Sequence, residues 1–391
     1  MKRLKTYIEK QKPEYLRVAL PPEAAADIIV VIPCYNEPAL AETLHNLRAC
    51  NRPAANVLTV IVLNSGAFAD ESVVKQNRVS YEETLLFAGC YNEPGFGFFP
   101  LLFEDLPRKH AGVGLARKIG MDLAVEHFLR NGKLRGVIIS LDADCTVSAN
   151  FPATVWDAFS RDKSLNATIH AFRHRVEVGG SLPESAARQY EAYIRYFRSM
   201  LEYTGFPYYY HTIGSTFAVS ADAYVRVGGM GRQQGGEDFY FLQKIFALGN
   251  IRELKEAWVF PMARLSGRVP FGTGPSLQKI IEEPDGNVRA YSERSFHVLK
   301  EFFGMKDAFW EKDIQSVEAM ITALHPSLQQ FLKEIDFQSM ITDCNENSAS
   351  PDTFRKRFFH HFNAFRIIKY LNRVHPDPFP YTSFASLIDK Y

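Results

Sequence analysis

Asp142 and Asp144 stand one residue apart, directly after the apolar, β-branched run Gly136-Val137-Ile138-Ile139-Ser140-Leu141. Such a run reads as a buried strand. In extended chain, side chains at i and i+2 point to the same side, so both carboxylates can converge on one hard cation. An oxygen-only pair suits Mg²⁺ or Mn²⁺ held partly by the protein and partly by a substrate's phosphates. The competing explanation is loop solvation or capping of the next helix. Metal-assisted chemistry on a diphosphate is the expectation that follows.

Four other clusters could serve such chemistry. Pro33-Cys34-Tyr35-Asn36-Glu37 follows an apolar run over 27–32, which ends at Pro33. A turn there offers an aromatic face and polar side chains to a planar ligand, although Asn36 could equally be an ordinary helix cap. Asn64-Ser65-Gly66 ends the run over 57–63. Glu237-Asp238 opens a helix behind Gly235-Gly236. Acids in a first turn complement the helix dipole, and they also offer a proton acceptor separate from the metal carboxylates. Arg264 and Arg268 flank a Gly-rich segment ending at Gly274, where forked donors and backbone N–H groups can grip phosphate.

The elements that must position these residues alternate. Strands are expected at 27–32, 57–63, 136–141, 167–172, 217–220 and 257–260. Helices are expected at 38–50, 69–86, 112–130, 184–203, 221–227 and 237–248, with 89–107 irregular. Alternation of this kind predicts an α/β fold, a mostly parallel sheet flanked by helices. In open sheets of that type, ligands bind beyond the carboxyl ends of the strands. Clusters 34–37, 64–66 and 142–144 all fall at such ends. The tail from 288 reads as mostly helical, with a loop at 345–351. The expected organisation is a lead-in over 1–26, a catalytic domain over 27–287 (nucleotide half 27–145, acceptor half 146–287) and a helical extension over 288–391.

Composition narrows the class. Lys plus Arg is 45 and Asp plus Glu is 44, a net charge of +1. No global field favours nucleic acid, so phosphate must be held by local groups. Five cysteines, at 34, 50, 90, 145 and 344, form no CxxC pair or Cys/His cluster. Neither a disulfide framework nor a zinc site is indicated, and a cytoplasmic setting is expected. No run reaches the roughly 18 apolar residues of a membrane span.

Taken together, the Pro-x-Tyr-Asn-Glu turn and the acidic pair resemble the family 2 glycosyltransferases of GT-A fold. Gly112-Val113-Gly114-Leu115-Ala116-Arg117-Lys118 is similar to that family's Gly-rich helix start, and Gly236-Glu237-Asp238 to its Glu-Asp pair. The resemblance spans roughly 27–262, and 214–229 is similar to the stretch the family places before the pair. It implies a GT-A fold and transfer of a sugar from a nucleotide-diphosphate sugar to an acceptor hydroxyl, with inversion. It implies that Pro33, Tyr35 and Glu37 hold base and ribose, and that Asn64 and Ser65 stand where the family often has Asp-Asp against the base. Arg117 would face the diphosphate or base, with Lys118 replacing the usual Asn. Asp142 would touch ribose or metal, Asp144 would bind Mg²⁺ or Mn²⁺, Asp238 would be the general base, and Glu237 would order the acceptor or helix start. Arg268 would belong to the segment closing on the diphosphate. The Gln-x-x-Arg-Trp of processive synthases is missing.

Three rivals stay open: a retaining GT-A transferase, a sugar-phosphate nucleotidyltransferase, and a non-catalytic nucleotide-sugar-binding protein. The acceptor could be a saccharide, a lipid-linked molecule or a small molecule. His211 could line an acceptor pocket, and His297 or His110 could join the metal. Tyr190, Tyr193, Tyr196 and Phe197 could stack on sugars or simply pack in a core. Residues 354–371 read as one basic amphipathic helix. It either docks on the protein or lies on an anionic membrane at its inner face; docking is expected.

Overall fold

The computed structural model describes residues 1–391 apart from 12, 17, 22–24, 178–182, 266–271, 284–285 and 384–391. Ten strands concern the site: β1 Ile28–Cys34, β2 Val57–Gly66, β3 Phe96–Leu106, β4 Val137–Ser140, β5 Thr146–Val147, β6 Ala167–Phe172, β7 Arg175–Val176, β8 Phe217–Ser220, β9 Ile251–Phe260 and β10 Met262–Ala263. Eight build one sheet in the order β3-β2-β1-β4-β8-β6-β9-β5, while β7 and β10 pair separately. Strands β3, β2, β1 and β4 are mutually parallel; β8 runs against β4 and β6, and β5 against β9. The architecture is therefore α/β with a mainly parallel central sheet, as expected.

Burial explains the order. Every residue of β1 is buried, as is all of β2 but its last residue. Near-continuous apolar strands of this kind need cover on both faces. One face packs on the Leu40–Ala49 helix through Leu40, Leu44 and Leu47, within a core that includes Ile28, Ile61, Val137 and Phe151. The Val113–Arg130 helix is buried through most of its length.

The chain divides into two compact units: 1–183 with 212–276, and 184–211 with 277–391. The helix Glu184–Tyr203, read from sequence as part of the catalytic domain, groups with the C-terminal residues. In that second unit Phe296, Phe302, Phe309, Phe354, Phe358 and Phe362 are fully buried. No helix among the described residues is long and apolar enough to cross a membrane.

Several expectations need correction. The stretch 89–107 is not irregular: it holds the eleven-residue edge strand β3, paired along β2. Its Gly and Pro residues, which argue against a strand, sit where an edge tolerates them. Strand β1 does not stop at Pro33 but runs to Cys34. Pairing of β1 with β4 ends at Val31 opposite Ser140, whereas pairing with β2 continues. Pro33 therefore lacks an N–H on the side where no ladder needs one. Asn64 and Ser65 lie inside β2 rather than after it. Strand β9 begins at Ile251, not 257. The single helix expected over 354–371 is two, Pro351–His361 and Ala364–Arg373, the second capped by the Asn363 side chain.

Candidate active site

The chain lays down β1, β2 and β3 to one side of β1 and then returns to place β4 on the other. That reversal is a switch point, where the strand ends part and leave a crevice. The turn after β1 and the acidic segment after β4 both emerge there.

Two arginines tie the crevice together. Arg117, on the first turns of the Val113–Arg130 helix, is 3% exposed. Its Nη1 donates to Glu237 and its Nη2 to Asp142. Burial opposes the guanidinium's charge, and Asp142 and Glu237 outweigh that penalty. Gly214 makes room: a Cβ there would lie 2.6 Å from Arg117 Nη2 and 2.7 Å from Nη1. Arg264 is the second tie. Its Nη1 donates to Glu37 Oε1 at 3.2 Å and its Nη2 to Asp144 Oδ2 at 2.9 Å, with a further Nη2 contact to Glu37. The β7–β10 pairing brings Arg175 to the same place; its Nη2 donates to the Asp144 carbonyl at 3.2 Å and its Nη1 to Glu42.

The carboxylates differ in setting. Asp142 is about a third exposed and Asp144 less so. Burial, then the neighbouring Asp142 and Glu37 charges, push Asp144 up to about 6 against the pull of Arg264. A carboxylate in that state gains from a nearby cation. The donor set, two hard oxygens beside an open crevice, fits Mg²⁺ or Mn²⁺ completed by phosphate oxygens. Glu237 is 2% exposed and bonded to Arg117, so it anchors the arginine and the helix start. Burial raises its carboxyl, with Arg117 opposing. Asp238 is half-buried and accepts from the Phe239 N–H at 2.7 Å; burial raises it too. Gly236, at φ 72°, turns the chain into this helix.

The turn after β1 splits. Pro33 is buried within its strand opposite Val62, Tyr35 is 37% exposed, and Asn36 has φ 48°. Glu37 is buried and accepts from the Ala39 N–H at 3.0 Å. Asn77 joins this turn to β2: its Oδ1 accepts from the Asn36 N–H and its Nδ2 donates to the Asn64 carbonyl, each at 2.9 Å. Both side-chain atoms of Asn64, and Ser65 Oγ, are buried with no partner among the described residues. Buried amides are rarely left so, and this one can offer a donor and an acceptor to a ligand.

Other candidates lie elsewhere. Lys118 Nζ bonds Asp122 at 2.8 Å, Tyr7 at 3.1 Å and Gln11 at 2.9 Å, fastening the Lys2–Ile8 helix. His297 Nδ1 lies 2.6 Å from the Tyr203 hydroxyl. Tyr196 is fully buried and Phe197 packs on Phe296. Arg268 lies outside the described residues. Sequence reasoning missed Asn77 and Arg175. The signal for Asn77 was a polar residue on the buried side of a helix; Arg175 carried none, since its place depends on a two-residue strand. Among the described residues, the one cluster of three potential metal ligands is Asp343, Cys344 and His361, and there Asp343 is already paired with Arg357.

No family model and no curated protein matches the chain. Solved structures do. S. aureus TarS, residues 1–349, aligns at TM-score 0.39 and 13% identity over 86% of this chain and 91% of that one. The mannosyltransferase PcManGT from Pyrobaculum calidifontis, in complex with GDP-Man and Mn²⁺, aligns at 0.39 and 14% over 92% of each chain. GalNAc-T7 with UDP, GalNAc and Mn²⁺ aligns at 0.40 and 16% over 81% of this chain and 58% of that one.

Proposed function

We propose that the protein is a glycosyltransferase of GT-A type, moving a sugar from a nucleotide-diphosphate sugar to an acceptor hydroxyl with inversion. The observation that carries this reading is the meeting at one switch point of Glu37, Asp142 and Asp144, tied through Arg117 to the Glu237-Asp238 helix start. Asn64 and Tyr35 would bind the base, and Glu37 the ribose. The unpartnered Asn64 amide supports a base edge there. Asp144, with Asp142, would hold Mg²⁺ or Mn²⁺, which supplies Lewis-acid neutralisation of a diphosphate. Arg264, bonded to Asp144, adds a guanidinium beside the same phosphates.

Asp238 would take the acceptor's hydroxyl proton on a carboxylate oxygen. The acceptor oxygen then bonds to the anomeric carbon as the bond from that carbon to the diphosphate oxygen breaks. A base whose proton affinity is raised by burial accepts more readily than an ordinary aspartate. Glu237, committed to Arg117, orders the helix start and leaves Asp238 to the acceptor. A thermal-shift series with UDP-, GDP-, CDP- and dTDP-sugars and Mn²⁺ tests donor binding, because a ligand of the native state raises the midpoint. One donor should raise it in the presence of Mn²⁺; no shift with any of them would remove the basis for the reading.

A further inference from the structure

The amphipathic stretch near the C-terminus is mostly spent on packing. Phe354, Phe358, Phe362 and Leu371 are fully buried, and Phe365 stays 41% exposed. Beside it, in the second unit, opens a cavity of about 450 Å³. Its polar walls are His360, His361, Asn363, Arg366 and Lys369, with the Phe365 ring and Ile335 completing it. No acidic residue lines it.

The charges of this wall stand apart from their neighbours. Of the four arginines on the two helices, Arg355 pairs with Asp307 and Asp352, Arg357 with Asp343, and Arg373 with Glu334. Arg366 has no carboxylate partner among the described residues; its Nη1 points at Met340 Sδ, 2.9 Å away. Lys369 likewise has no ion pair there, and its Nζ lies 4.7 Å from the centre of the Phe365 ring. Asp343, which bonds the lining residue His361 through Nε2 at 2.6 Å, is also taken by Arg357. A half-buried guanidinium without a counter-ion is costly, and a bound anion would relieve that cost.

We propose that this cavity is a binding site for a phosphate-bearing molecule, with the phosphate between Arg366 and Lys369 and its organic part against Phe365. Two cations with an amide and imidazoles suit a doubly charged phosphate, which arginine grips through two parallel bonds. The volume suits a small ligand. The same chemistry is offered by a soluble phosphate ester and by a lipid headgroup. With the apolar stripe buried, a lipid would be held by its head alone. All of the cavity's lining residues belong to the second unit, and the proposal does not depend on the donor-site reading.

The test is calorimetric titration of the full chain with inorganic pyrophosphate in EDTA, beside co-sedimentation with phosphatidylglycerol and phosphatidylcholine vesicles. Both are repeated on R366Q/K369Q. Binding of pyrophosphate that falls at least about tenfold in the variant, without vesicle binding, assigns a soluble ligand. Sedimentation with phosphatidylglycerol alone that is lost in the variant assigns a headgroup. R366K should retain part of either. No binding of either probe, or binding that the double variant leaves unchanged, overturns the proposal. Both side chains reach solvent, and a circular-dichroism melt matching the parent's verifies that the variant is folded.

Discussion

Arg117 is the strut on which the site depends, and Arg117→Met measures how much. The guanidinium is 3% exposed, and its partner Glu237 is 2% exposed. Replacing it by an apolar chain of similar length leaves the Glu237 carboxylate buried without a counter-ion. Breaking a buried pair this way costs about 3–5 kcal/mol. Asp142, partly open to water, adds little. The loss should depend on pH. Burial already raises Glu237, and Arg117 is what restrains it. Without Arg117 the carboxyl rises further above the value of about 7 it has in the parent, so above that pH the folded variant still holds a proton that the folded parent has released. Each pH unit in that window costs about 1.4 kcal/mol. Urea unfolding followed by circular dichroism should therefore show the full loss near about pH 8.5 and a loss of about 1–2 kcal/mol, from lost hydrogen bonds alone, near about pH 5.5. Adding Glu237→Gln to the variant should recover about 2 kcal/mol at the higher pH. A loss below about 1 kcal/mol at the higher pH, equal losses at both, or no recovery would refute the assignment of Arg117 as the counter-ion of a buried carboxylate.

Arg264 takes an oxygen of Asp144 that a cation would otherwise use, so R264Q should bind Mn²⁺ about tenfold more tightly in spin-resonance titrations above pH 8, and hold the donor more weakly; unchanged Mn²⁺ affinity counts against the arrangement. N64L should weaken donor binding about tenfold while leaving the fold intact, since no described residue loses a side-chain bond; equal affinity would remove Asn64 from the base site. His127 is buried, accepts from the Ala26 N–H at 3.1 Å, and is lowered to about 4 by burial first and Arg130 second. Its unfolded pKa is about 6.5, so its contribution is whole above that value and is lost as pH falls towards 4. The stability gap between wild type and H127Q should then shift by about 3 kcal/mol across that window, and a constant gap would contradict it.

The parts of the fold legible in the sequence were those with a periodic signal. Buried runs gave β4, β6 and β8, and the helix Glu184–Tyr203 came with its observed bounds. Strand β3 was hidden because an edge strand tolerates Gly97 and Pro100, which elsewhere end a strand. The break at Asn363 was hidden because apolar spacing continues across it in phase; only the cap marks the new helix. For the site, the chemical types were legible at 142–144, 34–37 and 237–238. The partnerships were not. That Arg117 would join Asp142 to Glu237, and Arg264 would join Glu37 to Asp144, depends on long-range closure of the sheet, which no local pattern encodes.

We propose sugar transfer with Asp238 as the proton acceptor. Its most direct measurement is release of nucleoside diphosphate from a panel of sugar nucleotides, with Mn²⁺ and saccharide acceptors, by wild type and D238N. The prediction is acceptor-dependent release by wild type, slowed by about a hundredfold or more in D238N, with the donor still raising the variant's melting temperature as in the parent. Pyrophosphate exchange in place of release, or an undiminished rate in D238N, would contradict it.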